Sequence, residues 1–593
     1  MRSRRAVARL TLVAALSAAS PVAPARAVQG QPLLPAPTAA GRAWVERTLA
    51  SLTLEQKVAQ LVVSEISGTY ASATDPRLQR WVALARDRGV GAFVLYGGTP
   101  RDVAALTNTL QRAARVPLLI TADFEGGPGQ QVTGATEFPA NMAFAAIGDT
   151  ALMYRATSLA AREGRAMGIH LTYSPAVDIA WRPTNPAEGV RSFGGDLALL
   201  GRMVRSYVRG YHDNGMLSGA KHFPGRGDVE KMPSRPDFTW NTKSAEAVRA
   251  QEFVAFKHAI DAGVDYVMTE HVAVPSLTGG SDLPASVEPK LARDWLRDSL
   301  GFKGMLTSDD LWYDHVIARF GPEEVALRAF EAGHDLVLKP KDTEKTIDAM
   351  VAAVRSGRIS AARIDSTVRR LLMLKARLNL QVQRFVDESK VGASVGTAEH
   401  LAVAQEVADR SLTMLRNDGV LPLKAGATPK IVNISVQKLE NDPSPALLAT
   451  RLAAAFPGAR SFTLSLNLTA KYYIDAMEAV DQADLVLVSL FVARDRLGDA
   501  TPIRGGDLAF IERIIATKPK AVVAMSYGNV HHIRKLPAVP AYLAGYGERG
   551  WFGNQEIYFS SFIRALKGEL NPKGRLPVLV SEAYPIGSGL SYP

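Results

Sequence analysis

From Ala43 to about residue 380, short apolar runs alternate with amphipathic helical stretches. Eight short buried strands separated by helices are typical of a (β/α)8 barrel. The alternative is an open doubly wound sheet, but no glycine-rich dinucleotide fingerprint follows the first run. We therefore predict a barrel over residues 43–380. The predicted strands are Val58–Ser64, Gly91–Tyr96, Pro117–Asp123, Leu171–Asp178, Ser218–His222, Tyr266–His271, Met305–Asp309 and Asp335–Leu338.

A second alternating pattern follows a polar, irregular stretch over residues 381–399, which we interpret as an interdomain linker. Its apolar runs predict another α/β domain over residues 400–593. The chain is too long for a single hydrophobic core, which agrees with two domains. The predicted strands of the second domain lie near Lys430–Val436, Phe462–Leu466, Leu485–Val492, Ala521–Tyr527 and Ala541–Tyr546.

The first 27 residues have the pattern of a secretory signal peptide. An arginine-rich start precedes the short apolar run Leu10–Ala19, and Ala25-Arg26-Ala27 matches a cleavage site. The apolar run is too short to span a bilayer, so we expect no stable membrane insertion after removal of the signal. Residues 28–42 are interpreted as a linker. The protein is therefore predicted to be exported, to the periplasm or the extracellular space.

Charge and cysteine content narrow the possible functions. The net charge of +11 falls to +6 without residues 1–27, because that segment carries five Arg and no acid. The remaining excess is spread along the chain without a basic block, which favours a solvated basic surface over a nucleic-acid partner. The chain has no Cys, which excludes disulfides, thiolate metal sites and Cys nucleophiles.

Polar residues stand at the ends of five predicted barrel strands. In a parallel barrel these ends meet at one rim, where enzymes of this fold build their active sites. We therefore predict an active site at this rim. The residues are Asp123, Asp178, Lys221 with His222, His271, and Asp309 with Asp310.

Asp309 and Asp310 end the seventh predicted strand, directly before Trp312 and Tyr313. An ionised carboxylate at this point suits attack on an anomeric carbon in double-displacement glycoside hydrolysis. The alternative is a helix N-cap, for which Asp is well suited. The aromatic pair suits stacking on a sugar ring, although packing in the core is its commoner role.

The other rim residues suit binding of hydroxyl groups, each with a structural alternative. Lys221 and His222 either donate hydrogen bonds to a sugar or form ion pairs in the barrel wall. Asp123 either grips vicinal hydroxyls or serves turn chemistry. Arg191 either contacts substrate or pairs with Asp196. His271 either binds substrate or is a neutral hydrogen-bonded wall residue. It has no partner at metal-ligand spacing, so we predict no metal site.

In order along the chain, these segments resemble the family 3 glycoside hydrolases, and among them the bacterial exo-β-N-acetylglucosaminidases. The resemblance implies a barrel followed by an α/β sandwich, and a retaining exo-glycosidase that needs no cofactor. It implies Asp309 as the nucleophile and Asp123, Arg191, Lys221 and His222 as ligands of the terminal sugar. The matching stretches are Leu52–Gln60, Asp123–Gly127, Arg191–Gly194, Lys221–Gly225, Leu283–Ser286, Gly301–Gly304 and Ser308–Leu311, with Leu415–Leu423, Gly574–Val578 and Gly587–Tyr592 in the second domain.

One departure concerns the proton donor. The exo-N-acetylglucosaminidases carry Gly-His-Gly where this chain has Gly225-Arg226-Gly227, and the Asp-x-His pair that follows in them is absent here. A proton must still reach the leaving oxygen of ordinary glycosides. Glu230 is our first candidate for the acid/base, with burial raising its pKa. His271 and Glu548 of the second domain are the other candidates, and the remaining interpretation is altered or lost catalysis.

The prediction is an exported exo-glycosidase acting on terminal non-reducing β-linked sugars, with N-acetylglucosamine from cell-wall or chitin fragments as the first choice. β-Glucosidase is the alternative within the same class of reaction. A non-catalytic sugar-binding protein is the alternative from another class. The expected partner is a carbohydrate, with no cofactor and no metal, since retaining hydrolysis needs only two protonic groups and water.

Overall fold

The computed structural model describes residues 34–185, 187–229, 238–492, 501–548 and 554–593. The predicted signal peptide and the candidate acid Glu230 lie outside the described residues. Among the described helices, none combines the length and the apolar character that crossing a membrane requires.

The first domain is built around eight parallel strands in the order β10-β1-β2-β3-β4-β5-β7-β9. A bridge between Thr307 and Leu336 joins the region of β9 to that of β10, so the sheet curls into a nearly closed barrel. The predicted barrel is confirmed. The strands of this domain are β1 (Val62–Ser67), β2 (Ala92–Tyr96), β3 (Leu119–Ala122), β4 (Leu171–Thr172), β5 (Leu217–Phe223), β6 (Thr239–Trp240), β7 (Tyr266–Thr269), β8 (Val272–Ala273), β9 (Met305–Ser308) and β10 (Val337–Leu338).

Helices surround this barrel and connect its strands, and several begin at side-chain caps. Asp196 and Ser360 each accept a hydrogen bond from a backbone N–H in the first turn that would otherwise lack a partner. The helices are α1 (Ala39–Ser51), α2 (Leu54–Gln60), α3 (Pro76–Ala83), α4 (Pro100–Ala113), α5 (Asn141–Ile147), α6 (Thr150–Ala166), α7 (Leu197–Asp213), α8 (Ala245–Ala250), α9 (Glu252–Asp261), α10 (Pro275–Thr278), α11 (Asp314–Phe320), α12 (Glu324–Ala332), α13 (Thr343–Arg355) and α14 (Ala361–Arg377), with π-helical turns at Leu84–Arg88 and Lys290–Ser299.

The first strand begins later than predicted. Thr53 accepts a hydrogen bond from the backbone of Gln56, whose side chain accepts one from the backbone of Thr53. This capping box starts helix α2, and the helix takes up residues 58–60 of the predicted strand. The strand β1 therefore runs from Val62.

The second domain has a six-stranded sheet in the order β11-β16-β15-β14-β12-β13. Five strands are parallel, and β11 pairs antiparallel with β16 at one edge. All five predicted strands are present, and β11 is additional. The strands are β11 (Thr413–Asn417), β12 (Ile431–Gln437), β13 (Arg460–Leu464), β14 (Leu485–Phe491), β15 (Val522–Ser526) and β16 (Ala541–Ala544). The short helix α15 (Val391–Ser394) lies in the connecting stretch, and the helices of the domain are α16 (Ala398–Ser411), α17 (Ser444–Ala455), α18 (Ala470–Asp481), α19 (Gly505–Thr517) and α20 (Tyr558–Leu566).

Backbone hydrogen bonds join the second domain to loops of the barrel. The N–H of Gly195 donates to the carbonyl of Pro577 over 2.9 Å, and that of Ala140 donates to Tyr546 over 3.0 Å. A Cβ added to Gly194 would lie 2.2 Å from the Pro577 oxygen, so only glycine fits this approach. The loop between residues 189 and 195 is thereby held against the second domain.

Candidate active site

Three parallel strands bring the predicted site residues to one rim of the barrel. Asp123 follows β3, Lys221 and His222 lie near the carboxyl end of β5, and Asp309 follows β9. The carboxyl ends of parallel strands meet at the same end of the barrel. Lys221 donates a hydrogen bond to Asp123, and ligand atoms of His222 and Asp309 lie within 4.8 Å of each other. Arg191 joins them from the loop before α7.

Asp309 is half-buried and lies against His222 and Glu270. Ligand atoms of these three side chains are all within 4.8 Å of one another. The Asp309 carboxylate accepts a hydrogen bond from the backbone N–H of Asp310 over 2.7 Å. It makes no direct ion pair with any described residue, so it is not held in a salt bridge and keeps exposed surface.

Positive charge keeps the Asp309 carboxylate ionised. Burial raises the pKa of this group, but the charge on His222, with contributions from His271 and Arg226, outweighs burial and holds the pKa below its ordinary value. An ionised carboxylate that is not itself paired is the form that a nucleophile requires.

Asp178 orients His222 and keeps it charged. Nδ1 of His222 donates to Oδ2 of Asp178 over 2.7 Å, and its backbone N–H donates to the same atom over 3.0 Å. Burial lowers the pKa of His222, but the Asp178 carboxylate outweighs burial and raises it to about 10. The imidazole is therefore a cation at neutral pH, with Nε2 3.4 Å from a guanidinium nitrogen of Arg191.

Lys221 bridges two carboxylates. Its Nζ lies 2.6 Å from Asp123 and 2.7 Å from Glu125. Glu125 also accepts two 2.7 Å hydrogen bonds from Arg191, so the four side chains form one chain of ion pairs. Arg191 thus pairs with Glu125, whereas Asp196 caps helix α7. Asp123 is the most open member, with 21% of its side chain exposed. Its Oδ1 accepts from Lys221, and its Oδ2 has no hydrogen bond to a described residue.

A second buried cluster surrounds Arg226. Its Nε donates to Glu188 over 2.5 Å, its Nη1 donates to Glu270 over 2.6 Å, and its backbone N–H donates to Asp178 over 2.9 Å. Burial raises the pKa of Glu188 and of Glu270, and repulsion from Asp178 and Asp309 respectively adds to this. The residue that replaces the family's histidine is therefore the cation that neutralises this cluster.

Asp310 points to the other side of the rim. It accepts a hydrogen bond from Nε1 of Trp312 over 3.1 Å and pairs with Lys339 over 2.9 Å. Burial, with repulsion from Asp309, outweighs Lys339 and raises the pKa of Asp310 to about 6. Trp312 is 41% exposed, so its ring is available to a sugar face. The two neighbouring aspartates therefore have different environments, and Asp309 is the one that lies against His222.

His271 has the environment of a wall residue. It is fully buried, its Nδ1 lies 2.8 Å from the hydroxyl of Ser286, and its Nε2 lies 3.0 Å from the carbonyl of Asp310. Because a carbonyl only accepts, Nε2 donates to Asp310, while Nδ1 shares a hydrogen bond with the hydroxyl of Ser286. Both ring nitrogens are thus occupied, which disfavours His271 as the proton donor.

Glu548 lies where the two domains meet. It is buried and lines a small cavity together with Asn185 and Glu188 of the barrel and Gly528 and His531 of the second domain. Glu188 is the partner of Arg226, so Glu548 borders the second buried cluster from outside. Glu230 itself lies outside the described residues.

Within the part of the chain that the structure describes, two groups of three side chains are close enough to share a cation: Asp178 with Glu188 and His222, and His222 with Glu270 and Asp309. Both include His222, whose imidazole is protonated at neutral pH and has no free lone pair. Arg226 already neutralises the carboxylates. These groups therefore do not suit a metal ion.

Several residues of the site were missed by sequence reasoning. Glu125 lies two residues after Asp123 in the segment Asp123–Gly127, and its position in that segment indicates no role for it. Glu188 and Glu270 carried no signal beyond their proximity to the motifs. Glu125 pairs with Lys221, and Glu270 pairs with Arg226, each more than 40 residues away along the chain. Glu188 also pairs with Arg226, whose only signal in the sequence is its departure from the family pattern.

Comparisons with known proteins agree with this geometry. Residues 53–374 match the model of the glycosyl hydrolase family 3 N terminal domain. The chain is 31% identical over 562 residues to a beta-N-acetylglucosaminidase/beta-glucosidase of Cellulomonas fimi, covering 91% of this chain and 96% of that one. It is 26% identical over 433 residues to beta-hexosaminidase A of Pseudoalteromonas piscicida, covering 68% and 71%.

A solved structure has the same two-domain architecture. It is a glycoside hydrolase family 3 beta-N-acetylglucosaminidase from Paenibacillus sp. str. FPU-7, with a TM-score of 0.79 and 31% identity, covering 90% of this chain and 99% of that one. The match of more than half of the chain to the family model, together with the near full-length relative, shows that this chain is a glycoside hydrolase and belongs to glycosyl hydrolase family 3.

Proposed function

We propose that this enzyme is a retaining exo-glycosidase that removes terminal β-linked N-acetylglucosamine, with Asp309 as the nucleophile. The observation that carries the proposal is the state of Asp309, which is ionised, not salt-bridged to any described residue, half-exposed and next to charged His222. The Cellulomonas fimi and Paenibacillus relatives, both described as β-N-acetylglucosaminidases, support the choice of sugar.

In the first step, Asp309 attacks the anomeric carbon and the bond to the leaving oxygen breaks, while an acid gives that oxygen a proton. In the second step, the residue that acted as the acid takes a proton from water, and the water oxygen displaces Asp309 from the anomeric carbon. Charged His222 and Arg226 stabilise the carboxylate that leaves in this step. The ion-paired chain of Asp123, Lys221, Glu125 and Arg191 surrounds the terminal sugar with donors and acceptors for its hydroxyls.

Glu230 remains our first candidate for the acid/base, because it lies in the loop that follows Arg226 along the chain. The occupied ring nitrogens of His271 argue against that residue. Glu230→Gln should slow glycosides with poor leaving groups far more than those with activated leaving groups, which need little protonation. Glu548→Gln serves as the matched variant at the domain interface. An equal loss on both kinds of substrate would exclude Glu230 as the acid.

Covalent trapping tests the nucleophile. A 2-fluoro sugar with an activated leaving group should add one sugar mass to a peptide containing Asp309, because this step needs no acid. Asp310→Asn should still be labelled, whereas Asp309→Asn should not. A protein that binds sugar and gives no adduct at all would be a non-catalytic sugar-binding protein, and labelling of another carboxylate would assign the nucleophile elsewhere.

β-Glucosidase activity is the second candidate. The name of the Cellulomonas fimi relative includes both activities, and this chain lacks the Asp-x-His pair of the exo-N-acetylglucosaminidases. A panel of aryl β-glycosides that differ only in the sugar separates the two candidates by kcat/KM. A preference for N-acetylglucosamine supports the first proposal, and a preference for glucose supports the second.

We also propose that the protein is exported from the cytoplasm and that its signal peptide is removed. The arginine-rich start, the short apolar run and the Ala25-Arg26-Ala27 site support removal of residues 1–27. Intact mass measurement of the protein recovered outside the cytoplasm should give a chain that begins at Val28. Recovery of the uncleaved chain in the cytoplasm would contradict this.

A further inference from the structure

An open cavity of about 860 Å³ lies between the end of helix α6 and residues 383–400, which connect the two domains. Helix α6 ends at Ala166, and residues 167–170 lead into the beginning of β4. The cavity therefore lies beside the amino ends of the barrel strands, opposite the carboxyl ends that carry Asp123 and Asp309. It is separate from the candidate active site.

Arg165 lines this cavity without a partner. It makes no hydrogen bond or ion pair with any residue that the structure describes, and its Nη1 is buried and unsatisfied. Burial alone lowers the pKa of Arg165 to about 10. Arg165 as a whole is half-buried. A partly buried cation without a counter-charge costs folding free energy, and a buried donor such as its Nη1 almost always has a partner.

Further positive charge surrounds Arg165. Arg384 is half-buried and donates from Nη1 to the carbonyl of Ala114 over 3.1 Å, with no other hydrogen bond to a described residue. Arg162, one turn before Arg165 on α6, is exposed at the same cavity. Lys390 completes the set and pairs with Asp387 over 3.1 Å. The carboxylates that line the cavity are Asp387 and Glu399, so the four cations outnumber them.

We propose that this cavity binds an anionic small molecule through a phosphate or carboxylate group held by Arg165 and Arg384. A guanidinium group offers two parallel donors that match the spacing of such oxygens. The volume is in the range of sites for small ligands and exceeds the size of a single oxyanion. The rest of the ligand then lies along residues 383–400, where the exposed ring of Phe385 offers apolar surface.

The bound anion supplies the counter-charge that Arg165 lacks and links helix α6 to the interdomain connector. A ligand that binds only the folded state raises stability in proportion to the logarithm of its concentration above Kd. Replacing an ion-paired structural arginine lowers stability. Replacing Arg165 should not lower stability without an anion, because its unpaired charge destabilises the fold when no anion is present.

Thermal unfolding of the purified full chain tests the proposal, with inorganic phosphate and glucuronate as separate probes at millimolar concentrations. Sodium chloride keeps the ionic strength equal, and glucose is the neutral control. For the wild type we expect at least one probe to raise Tm by about 2 °C or more, and the stronger probe tells phosphate from carboxylate. Arg165→Met should abolish this rise, and its Tm without a probe should equal or exceed that of the wild type.

Two further variants complete the test. Arg384→Gln should weaken the response, and Arg202→Gln, which removes an exposed charge on the neighbouring helix α7, should keep it. Activity on an aryl glycoside should be unchanged in Arg165→Met. The proposal is overturned if neither probe raises the wild-type Tm, if Arg165→Met responds as the wild type does, or if it melts at a lower temperature without a probe.

Discussion

Nη1 of Arg226 donates to Oε2 of Glu270 over 2.6 Å, and this buried pair lies directly beside the carboxylate of Asp309. Arg226 also pairs with Glu188, so one guanidinium group neutralises two buried acids and adds to the positive potential at Asp309. In the resembling exo-N-acetylglucosaminidases a histidine stands at this position. The charge arrangement around Asp309 therefore depends on this arginine.

Arg226→Met should therefore destabilise the protein by about 3–5 kcal/mol, because it leaves buried carboxylates without their cation. Denaturant unfolding measures the loss. The double variant Arg226→Met/Glu270→Gln should lose less than the sum of the two single variants, since the second change removes one of the uncompensated charges. The exposed Arg202→Gln should change stability by about 0.5 kcal/mol or less. Additive losses would show that the pair is not coupled.

The pH dependence of activity should report the charges around Asp309. Its pKa lies below the ordinary value mainly because positive His222 outweighs burial. His222→Gln should therefore move the acid limb of kcat/KM to higher pH on an activated aryl glycoside. Glu270→Gln removes a repelling charge and should move the limb to lower pH. Shifts in the same direction, or none, would contradict this account of the Asp309 environment.

Stability should also depend on pH through His222. Its pKa is about 10 in the folded protein because of Asp178, compared with about 6.5 in an unfolded chain. The contribution of the pair is therefore fully present below pH 6.5 and is lost as the pH rises towards 10. The Tm difference between the wild type and His222→Gln should be largest near pH 6 and should shrink steadily to pH 10. A constant difference would mean that His222 does not titrate in this range.

Gly194 should resist substitution more than other glycines of similar backbone conformation. Its φ is +107°, and an added Cβ would meet the carbonyl oxygen of Pro577 at 2.2 Å. Gly215 also has a positive φ, of +72°, but has nothing within 4 Å of an added Cβ. Gly215→Ala should cost about 1–2 kcal/mol from backbone strain alone.

Gly194→Ala should lose more stability than Gly215→Ala, and it should also raise KM, because the displaced loop carries Arg191. Urea unfolding and kinetics on an aryl glycoside measure the two effects. Equal stability losses with unchanged KM would show that the approach of Pro577 does not position the sugar-binding loop.

Both sheets were predicted from the sequence because parallel strands covered by helices are continuous apolar runs. Strand β11 was missed because it is a short antiparallel edge strand with a bulge between Met414 and Arg416, so its pattern is neither apolar throughout nor strictly alternating. The start of β1 was wrong because Val58 and Ala59 suit a buried helix face as well as a strand.

The prediction of the site depended on which residues carry a local signal. Asp123, Lys221, His222 and Asp309 end strands, and their place at the rim follows from the fold. The ion pairs that tune them do not follow from it, because Glu125, Glu188 and Glu270 meet their partners only after the loops have folded. No sequence pattern indicated that Arg165 would be left without a counter-charge.

The hydrogen bond from Gly195 to Pro577 has a consequence for any attempt to shorten this protein. A fragment that stops after the last barrel helix retains every rim residue. It lacks the Pro577 carbonyl that accepts the hydrogen bond from the loop carrying Arg191. We expect such a fragment to fold as a barrel but to bind a sugar more weakly. Replacing the second domain by that of a relative should preserve sugar binding only if the relative's domain places a carbonyl oxygen at the position of Pro577.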